Sequence, residues 1–186
     1  QGVYYLLEGY VRVFILTQEG SELTINIFHP GSFFPMIWAI NEIPNIYFFE
    51  AMTKVVVQRS PLSQFLQFIH TDIEVLSEIN KMVLHSLNRA LVRLQYLVLG
   101  NATQRVANVI LMLGRRFGQA DNNGYLSIVF PVTHNQIACL SALTRESVGA
   151  ELKRFENEGL ISRKYRLCTI LNIQKLQIIR GIDFIQ

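Results

Sequence analysis

Two charged side chains, Arg145 and Glu146, stand at the start of a predicted amphipathic helix, where packing does not require them. An arginine can donate a bidentate hydrogen bond to guanine, and a glutamate can accept one from the N4 amino group of cytosine. The helix dipole also favours glutamate in a first turn, so for this pair alone simple solvation of a helix end would be the better interpretation. The neighbouring elements must therefore decide between the two.

The surrounding stretch VTHNQIACLSALTRESVGAELKRFENEGLISRK, residues 132–164, predicts two short helices joined by a three-residue turn. Thr133 is expected to cap the first helix and Thr144 the second, because a threonine side chain can accept a hydrogen bond from the first-turn amides. Gly159 suits the end of the second helix. Two strands around a basic turn follow in LISRKYRLCTILNI. Together these elements predict a winged helix-turn-helix.

This architecture assigns roles to its exposed residues. The second helix presents its N-terminal residues to base edges in the major groove, and the start of the first helix suits phosphate. We expect the base-reading residues to be Arg145, Glu146, Ser147, Gly149 and Ala150. We expect the phosphate-contacting residues to be Thr133, His134, Asn135, Thr144, Lys153, Arg163 and Lys164. For His134 alone, a solvated histidine would give the same pattern.

A second long segment, from Asp72 to about Gly100, predicts one helix about 40 Å long, because each residue adds 1.5 Å. Thr71 is its predicted cap, with Glu74 completing a capping box. Six residues alternate steps of four and three to form a heptad seam: Asn80, Leu84, Leu87, Leu91, Leu94 and Val98. The heptad seam predicts pairing with another copy of the helix, with polar Asn80 fixing the register. An internal core helix is the alternative, although such helices average only about three turns.

The segment before this helix, residues 3–59, carries many short β-rich runs separated by turn signals. Such closely spaced short strands predict a roll or barrel, not a parallel sheet. The chain lacks an initiator Met and begins inside a predicted strand, so we expect the natural protein to extend upstream. After the long helix, Thr103 is expected to begin the next one.

Composition limits the remaining possibilities. The 186 residues carry a formal net charge of +3, which permits an acidic partner without demanding one. No apolar run reaches membrane-spanning length and no signal-peptide pattern is present, so we expect a cytoplasmic protein without a membrane partner. Cys139 and Cys168 each stand among apolar residues. We expect two buried thiols in a reducing compartment, not a disulfide or a metal site.

These motifs resemble those of the Crp/Fnr family of bacterial transcription regulators, in family order along nearly the whole chain. They are YYLLEGYVRVFI, EGSELTINIFHPGSFF, the long helix, ATQRVANVIL and TRESVGAELKRFENEGLI. Arg145 and Glu146 match the family's base-reading arginine and glutamate, and Thr133, His134 and Asn135 match its phosphate-contacting positions.

The resemblance implies an α+β chain in three parts. A double-stranded β-roll like that of cyclic-nucleotide-binding proteins would occupy residues 1–70 as a sensor. The dimerisation helix and a hinge would occupy residues 71–101, and a winged-helix DNA-binding domain residues 102–186. The resemblance also implies a homodimer on a palindromic operator, with double-stranded DNA and RNA polymerase as its partners.

The sequence departs from the family's cyclic-AMP-binding members. Their cassette holds a glutamate after the glycine of the GSFF turn, and an arginine–serine pair that grips the phosphate. Here Met36 stands near the first position and residues 45–47 near the second, and no Arg or Lys lies between Gly31 and Met52. A cyclic phosphate needs a cation or a group of amide donors when it is buried. We therefore expect no cyclic-AMP binding, and no other cofactor is indicated.

Apolar residues stand at the positions that would face such a ligand. They could line a pocket for an apolar or aromatic effector: Phe34, Met36, Ile37, Trp38, Tyr47, Phe49, Ala90 and Leu91. A core filled by these side chains is an equally good interpretation. Two further departures concern DNA. Ala150 replaces the arginine found at a third base-reading position, and Ala142 replaces the common turn glycine, at a cost of up to about 1 kcal/mol if its φ is positive.

Other classes of function fit the sequence less well than DNA-binding regulation. A metal-dependent cupin-type enzyme needs clustered histidines with a carboxylate, but His29 has no histidine neighbour in the sequence, so we expect neither enzyme activity nor a metal site. An iron–sulfur sensor would need a cysteine cluster, which the sequence lacks. A DNA-binding regulator that needs no effector, with a degenerate sensor domain, is the main alternative and stays open.

Overall fold

The computed structural model describes residues 2–41 and 44–181, so the extreme ends of the first and last predicted domains, residues 1 and 182–186, lie outside the described part. The chain divides into two compact units, residues 1–90 and 91–186. We call these the N-terminal and C-terminal units. Their boundary falls within one long helix.

The N-terminal unit is built mainly of antiparallel strands. Its strands are β1 (Gly2–Glu8), β2 (Val11–Leu16), β3 (Glu22–Phe28), β4 (Phe33–Phe34), β5 (Phe48–Ala51) and β6 (Val56–Pro61). Its helices are α1 (Met36–Asn41), α2 (Leu62–Thr71) and the first part of α3 (Ile73–Leu99). The strands form two three-stranded sheets in the orders β4-β1-β6 and β3-β2-β5. A hairpin joins β2 to β3, with Gly20 at φ 81° in its turn.

Two apolar clusters hold this unit together. In the first, Val3 of β1 packs with Phe65 and Ile69 of α2 and with Ile79 of α3. The second surrounds Phe34, whose ring stacks on its neighbours at centroid distances between 5.2 and 5.8 Å. Because Ile79 is only 4% exposed, the first turns of α3 belong to the core of the N-terminal unit.

The C-terminal unit combines helices with one sheet. Its helices are the last part of α3, α4 (Ala102–Phe117), α5 (His134–Ser141), α6 (Arg145–Asn157) and α7 (Ile173–Arg180). Its strands are β7 (Gly118–Ala120), β8 (Leu126–Ile128), β9 (Ile161–Lys164) and β10 (Leu167–Ile170), in the antiparallel order β7-β8-β10-β9. Fully buried side chains from α4, α5 and α6 form its core, among them Ile110, Ile137, Leu152 and Phe155.

Two helix starts differ from the prediction. Thr71 is the last residue of α2, where its hydroxyl donates to the Gln67 carbonyl at 2.6 Å, and Asp72 instead accepts from the Glu74 amide at 2.8 Å. The second difference is at α4, which begins one residue before Thr103 and is capped by Asn101. In both cases the side-chain oxygen of a polar residue close to the predicted start, Asp72 or Asn101, accepts from a first-turn amide of the helix.

Helix α3 is a single helix of 27 residues, as the sequence predicts. Every member of the heptad seam is exposed in the single chain. Exposed fractions are 64% for Leu84, 53% for Leu87, 50% for Leu91, 54% for Leu94 and 67% for Val98. A row of half-exposed leucines on one helix face is a surface that another apolar surface would cover. No helix in the described part of the chain is long and apolar enough to cross a bilayer.

Candidate nucleic-acid interface

The start of α5 is fixed by a capping box. The Thr133 hydroxyl accepts from the Gln136 amide at 3.1 Å, and the Gln136 side chain accepts from the Thr133 amide at 2.8 Å. At the start of α6 the Thr144 hydroxyl is the cap, and it accepts from the Ser147 amide at 3.2 Å. Thr133, Thr144 and Ser147 therefore have a structural role in the free chain, besides any contact that they make with DNA.

The turn between α5 and α6 is three residues long and bends through a left-handed residue. Ala142 has φ 50° and ψ 49°, and its amide donates to the Ala138 carbonyl to close α5. This is the conformation for which glycine is common, and alanine adopts it only against a steric penalty. The turn brings the start of α6 beside α5, as in a helix-turn-helix.

Helix α6 separates its residues into two faces. Val148, Leu152 and Phe155 are fully buried. Residues 145, 146, 150 and 153 are exposed on the other side of the helix. Because 3.6 residues make one turn, Arg145, Glu146, Ala150 and Lys153 lie on one outward face. This is the arrangement expected of a helix that enters the major groove.

The carboxyl group of Glu146, at the start of α6, is ionised. The pKa of Glu146 lies below its ordinary value because the carboxylate accepts from its own backbone amide and from the Thr144 hydroxyl, with a smaller contribution from Arg145. Glu146 is therefore fully ionised at neutral pH and serves as an acceptor, which is the form that cytosine N4 requires.

Gly149 of α6 faces the ring of His134. An added Cβ would lie 3.5 Å from the His134 Nδ1 atom, which is ordinary contact. On its other edge the Nε2 atom of His134 contacts the guanidinium of Arg163 in β9. This contact links the starts of α5 and α6 to β9, so three separate elements form one continuous face.

The protonation of His134 is influenced by the same contacts. Burial lowers the pKa of His134 below its ordinary value, the charges of Arg163 and Arg145 lower it further, and Glu156 opposes them. The imidazole is therefore neutral at pH 7, and Arg163 donates to it. Sequence reasoning treated His134 and Arg163 as separate phosphate contacts and did not predict this pairing.

The other predicted phosphate contacts surround this face. Asn135, Lys153 and Lys164 are exposed, and Arg163 is half-buried. We define the wing as β9, β10 and the residues between them. Its turn consists of Tyr165 and Arg166. Both are exposed, and neither is among the predicted contacts.

One further contact positions α5. The Nε atom of Arg93, in the last part of α3, donates to the Leu140 carbonyl at 3.1 Å. Burial lowers the pKa of Arg93 to about 10, so it remains charged at neutral pH. A cation at the end of α5 also interacts favourably with the helix dipole there. Sequence reasoning missed this contact because residues 93 and 140 are far apart in the chain.

Comparison with known proteins agrees with this geometry. A Crp-like helix-turn-helix domain model matches residues 104–179, and a cyclic nucleotide-binding domain model matches residues 1–72. The transcriptional regulator LdrP from Thermus thermophilus is 31% identical over 176 residues, which cover 94% of this chain and 85% of LdrP. The regulator SdrP from the same species is 28% identical over 174 residues, covering 94% of this chain and 81% of SdrP. The chain belongs to the Crp/Fnr family of transcription regulators.

A solved Crp-family transcriptional regulator, also from Thermus thermophilus, has the same fold. It is 29% identical, with a TM-score of 0.78 over 97% of this chain and 88% of that one. The predicted architecture, an N-terminal cyclic-nucleotide-binding-like β domain, a long helix and a C-terminal helix-turn-helix, is confirmed. As a Crp/Fnr member the chain is a transcription regulator with a DNA-binding domain.

The N-terminal unit of this Crp/Fnr regulator contains a pocket of about 710 Å³ that is open to solvent. Its lining is mostly apolar and aromatic: Gly2, Tyr4, Val11, Phe34, Pro35, Trp38, Pro44, Asn45, Phe49, Ala51, Val55 and Val57. Three of the predicted pocket residues, Phe34, Trp38 and Phe49, are in this lining. The described lining contains no Arg or Lys, so it offers no cation to a phosphate.

The other five predicted pocket residues are not in the lining of this pocket. Met36 packs on the cluster around Val3. Ile37 is 56% exposed, Tyr47 is half-buried outside the lining, and Ala90 and Leu91 are exposed on α3. Residues 36–41 form a short helix, so consecutive side chains there point in different directions and cannot all face one cavity.

The two cysteines and the potential metal ligands do not form a further reactive site in the described part of the chain. Cys139 and Cys168 are both buried, and no disulfide joins them. Burial raises the pKa of Cys168 to about 12, so its thiol stays protonated. Within residues 2–41 and 44–181, no group of three or more His, Cys, Asp or Glu side chains could hold a metal ion.

Proposed function

We propose that this Crp/Fnr regulator binds a palindromic operator as a homodimer and that Arg145 and Glu146 read one base step in each half-site. The observation that carries this proposal is the outward face of α6. Its apolar residues are fully buried, while Arg145 and Glu146 extend from the first turn with a guanidinium donor and an ionised acceptor.

The homodimer is supported by the heptad seam of α3. Its five apolar members are each at least 50% exposed in the single chain, and they repeat along one face with coiled-coil spacing. A twofold-symmetric pair would present two copies of α6 to half-sites about one helical turn, or 10–10.5 base pairs, apart. An operator with twofold symmetry would match it. Such a regulator would act in the bacterial cytoplasm, and RNA polymerase is its expected protein partner.

Each half-site should contain fewer strongly specified base pairs than a half-site that is read by three polar side chains. Ala150 is exposed on the same face as Arg145, but its methyl group can contact only apolar surface such as the thymine methyl. We therefore expect two strongly specified base pairs per half-site from α6 and a weaker third position.

The pocket of the N-terminal unit favours effector control. A lining of aromatic and aliphatic side chains suits a small apolar or aromatic molecule, and the described lining without Arg or Lys argues against cyclic AMP. In the competing function, a regulator that needs no effector, this open pocket would bind no ligand. A ligand that raises the melting temperature and changes operator affinity would support effector control.

The test compares Arg145→Ala with Arg115→Ala, which removes an exposed arginine from α4. Duplexes selected by the wild type from random DNA serve as probes in fluorescence anisotropy. We expect Arg145→Ala to weaken binding by about 1–3 kcal/mol and to flatten the preference at one base pair per half-site. Arg115→Ala should bind as the wild type does. Equal losses on selected and scrambled duplexes would contradict a base-reading role for Arg145.

A further inference from the structure

The last part of α3 has two different faces. Leu91, Leu94 and Val98 of the heptad seam are each at least 50% exposed. Tyr96 is only 2% exposed, and Arg93 is half-buried. Because 3.6 residues make one turn, Arg93 and Tyr96 lie on the side of the helix roughly opposite the seam. One short segment therefore carries the predicted dimer surface on one face and contacts the C-terminal unit with the other.

Arg93 joins this segment to the helix-turn-helix. Its Nε atom donates to the carbonyl of Leu140, near the end of α5, at 3.1 Å. Leu140 stands two residues before Ala142, whose left-handed backbone turns the chain from α5 toward α6. The hydrogen bond therefore reaches the part of α5 at which the direction of α6 is set. Both of its partners belong to the C-terminal unit.

An arginine is a costly residue with which to join two helices. Burial lowers the pKa of Arg93 to about 10, because its surroundings oppose the charged form. An apolar side chain of similar length, such as methionine, would pack between α3 and α5 without this desolvation cost. The arginine adds a directional hydrogen bond to a carbonyl at the end of a helix, and such a bond fixes the orientation of the two helices.

Two further contacts hold the same end of α3 in the C-terminal unit. The guanidinium of Arg180 in α7 lies over the ring of Tyr96, 5.6 Å from its centroid. Just after α3 ends, the Nε atom of Arg105 in α4 donates to the Gly100 carbonyl at 2.8 Å. The end of α3 is thus connected to α4, α5 and α7, so we expect these elements to move together.

We propose that Arg93 is a positioning residue for operator binding, which sets the distance and the angle between the two copies of α6. This inference rests on the proposed function. In the dimer, the heptad seam fixes the two α3 helices relative to each other. The contact from Arg93 to Leu140 fixes each helix-turn-helix relative to its own α3. Both copies of α6 are then preorganised for one spacing of the half-sites, so little orientational freedom is lost on binding.

Operators with altered spacing test this role. The probes are the duplex selected by the wild type and two derivatives with one base pair added or removed between the half-sites. Each change rotates one half-site by about 34–36° relative to the other. The wild type should bind both derivatives at least about thirtyfold more weakly, because a rigid dimer then fits only one half-site. In Arg93→Met this factor should fall to about threefold, and the selected duplex should bind more weakly because orientational freedom is lost on binding.

A single-base substitution within a half-site provides the second measurement. It should cost Arg93→Met the same factor in affinity as the wild type, because α6 still carries Arg145 and Glu146. Arg93→Lys keeps a cationic donor and should recover the spacing preference. Arg89→Met is the matched control, since Arg89 is an exposed arginine one turn earlier on the same face of α3. This control should bind all the duplexes as the wild type does.

The outcomes separate this inference from the function on which it rests. If Arg93→Met weakens binding to all three spacings by the same factor, Arg93 only stabilises the fold and the inference is wrong. The inference is equally wrong if the wild type tolerates the added or removed base pair, a result that does not depend on the folding of any variant. In both cases, loss of base preference in Arg145→Ala would leave the proposed function intact. If the wild type does not prefer selected over scrambled duplexes, both proposals fail.

Discussion

Replacing Leu87 by aspartate gives a quantitative test of the paired helix. Full burial of a leucine contributes about 1.5–3 kcal/mol, and Leu87 is 53% exposed, so pairing would gain about 1 kcal/mol from each copy. An aspartate in the same place adds a desolvation cost of about 1–3 kcal/mol per copy. Since a twofold interface carries the change twice, the variant should lose about 4–8 kcal/mol of dimerisation free energy. This is a factor of about 10³–10⁶ in the dissociation constant.

Sedimentation velocity over a dilution series measures this shift. The wild type should sediment as a dimer at concentrations where Leu87→Asp sediments as a monomer with unchanged circular dichroism. Leu16→Asp is the matched control, because Leu16 is 49% exposed, lies at the end of β2 and is not a member of the heptad seam. A Leu87→Asp variant that dimerises as tightly as the wild type would refute the assignment of the seam, and so would a Leu16→Asp variant that dissociates.

Three further predictions concern the helix-turn-helix. Gly149→Ala should leave the melting temperature nearly unchanged, because the new Cβ makes only ordinary contact with His134, yet weaken operator binding in anisotropy; unchanged affinity would mean that DNA does not approach this residue closely. Ala142→Gly should raise the free energy of unfolding in urea by about 0.5–1 kcal/mol, since φ is 50°, and a loss of stability would show that the turn is not strained. The pKa of His134 is lowered in the folded chain, so on acidification the unfolded chain takes up the proton first. The contribution of His134 to stability is therefore complete above about pH 6.5. It is lost as the pH falls toward the folded pKa. Urea unfolding at two pH values should therefore show a smaller acid loss for His134→Gln than for the wild type.

Much of the helix-turn-helix could be predicted because its signals are local. The caps Thr133 and Thr144 lie within three residues of the amides that they accept from, and Gly159 takes the positive φ of 66° expected after a helix. The apolar spacing of α6 follows from one helical period. Each of these features depends on a few neighbouring residues, so a single sequence contains the information that determines them.

Features that depend on distant residues could not be predicted in the same way. The pairing of His134 with Arg163 joins α5 to β9, and the contact from Arg93 to Leu140 joins α3 to α5. The pocket residues were predicted because their side chains are apolar. An apolar side chain can line a pocket or lie on the opposite side of a short helix, and the residue type does not distinguish the two positions. Ile37 is exposed for this reason, although it stands between two residues that are partly buried.

The wing shows how much depends on strand register. A basic run from 163 to 166 was visible in the sequence, but which of its residues would be exposed depends on where the turn falls. Pairing of Lys164 with Leu167 places Tyr165 and Arg166 at the turn. A shift by one residue would move each side chain to the opposite face of the strand.

Selection of bound sequences from random DNA is the decisive measurement for base reading by a symmetric dimer. With the wild-type protein, we expect an inverted repeat whose half-sites are centred about one helical turn apart. Each half-site should contain one guanine–cytosine pair whose enrichment disappears in a parallel selection with Arg145→Ala. Enrichment of a single half-site without symmetry, or the same enriched pair in both selections, would contradict base reading by Arg145 in a twofold-symmetric complex.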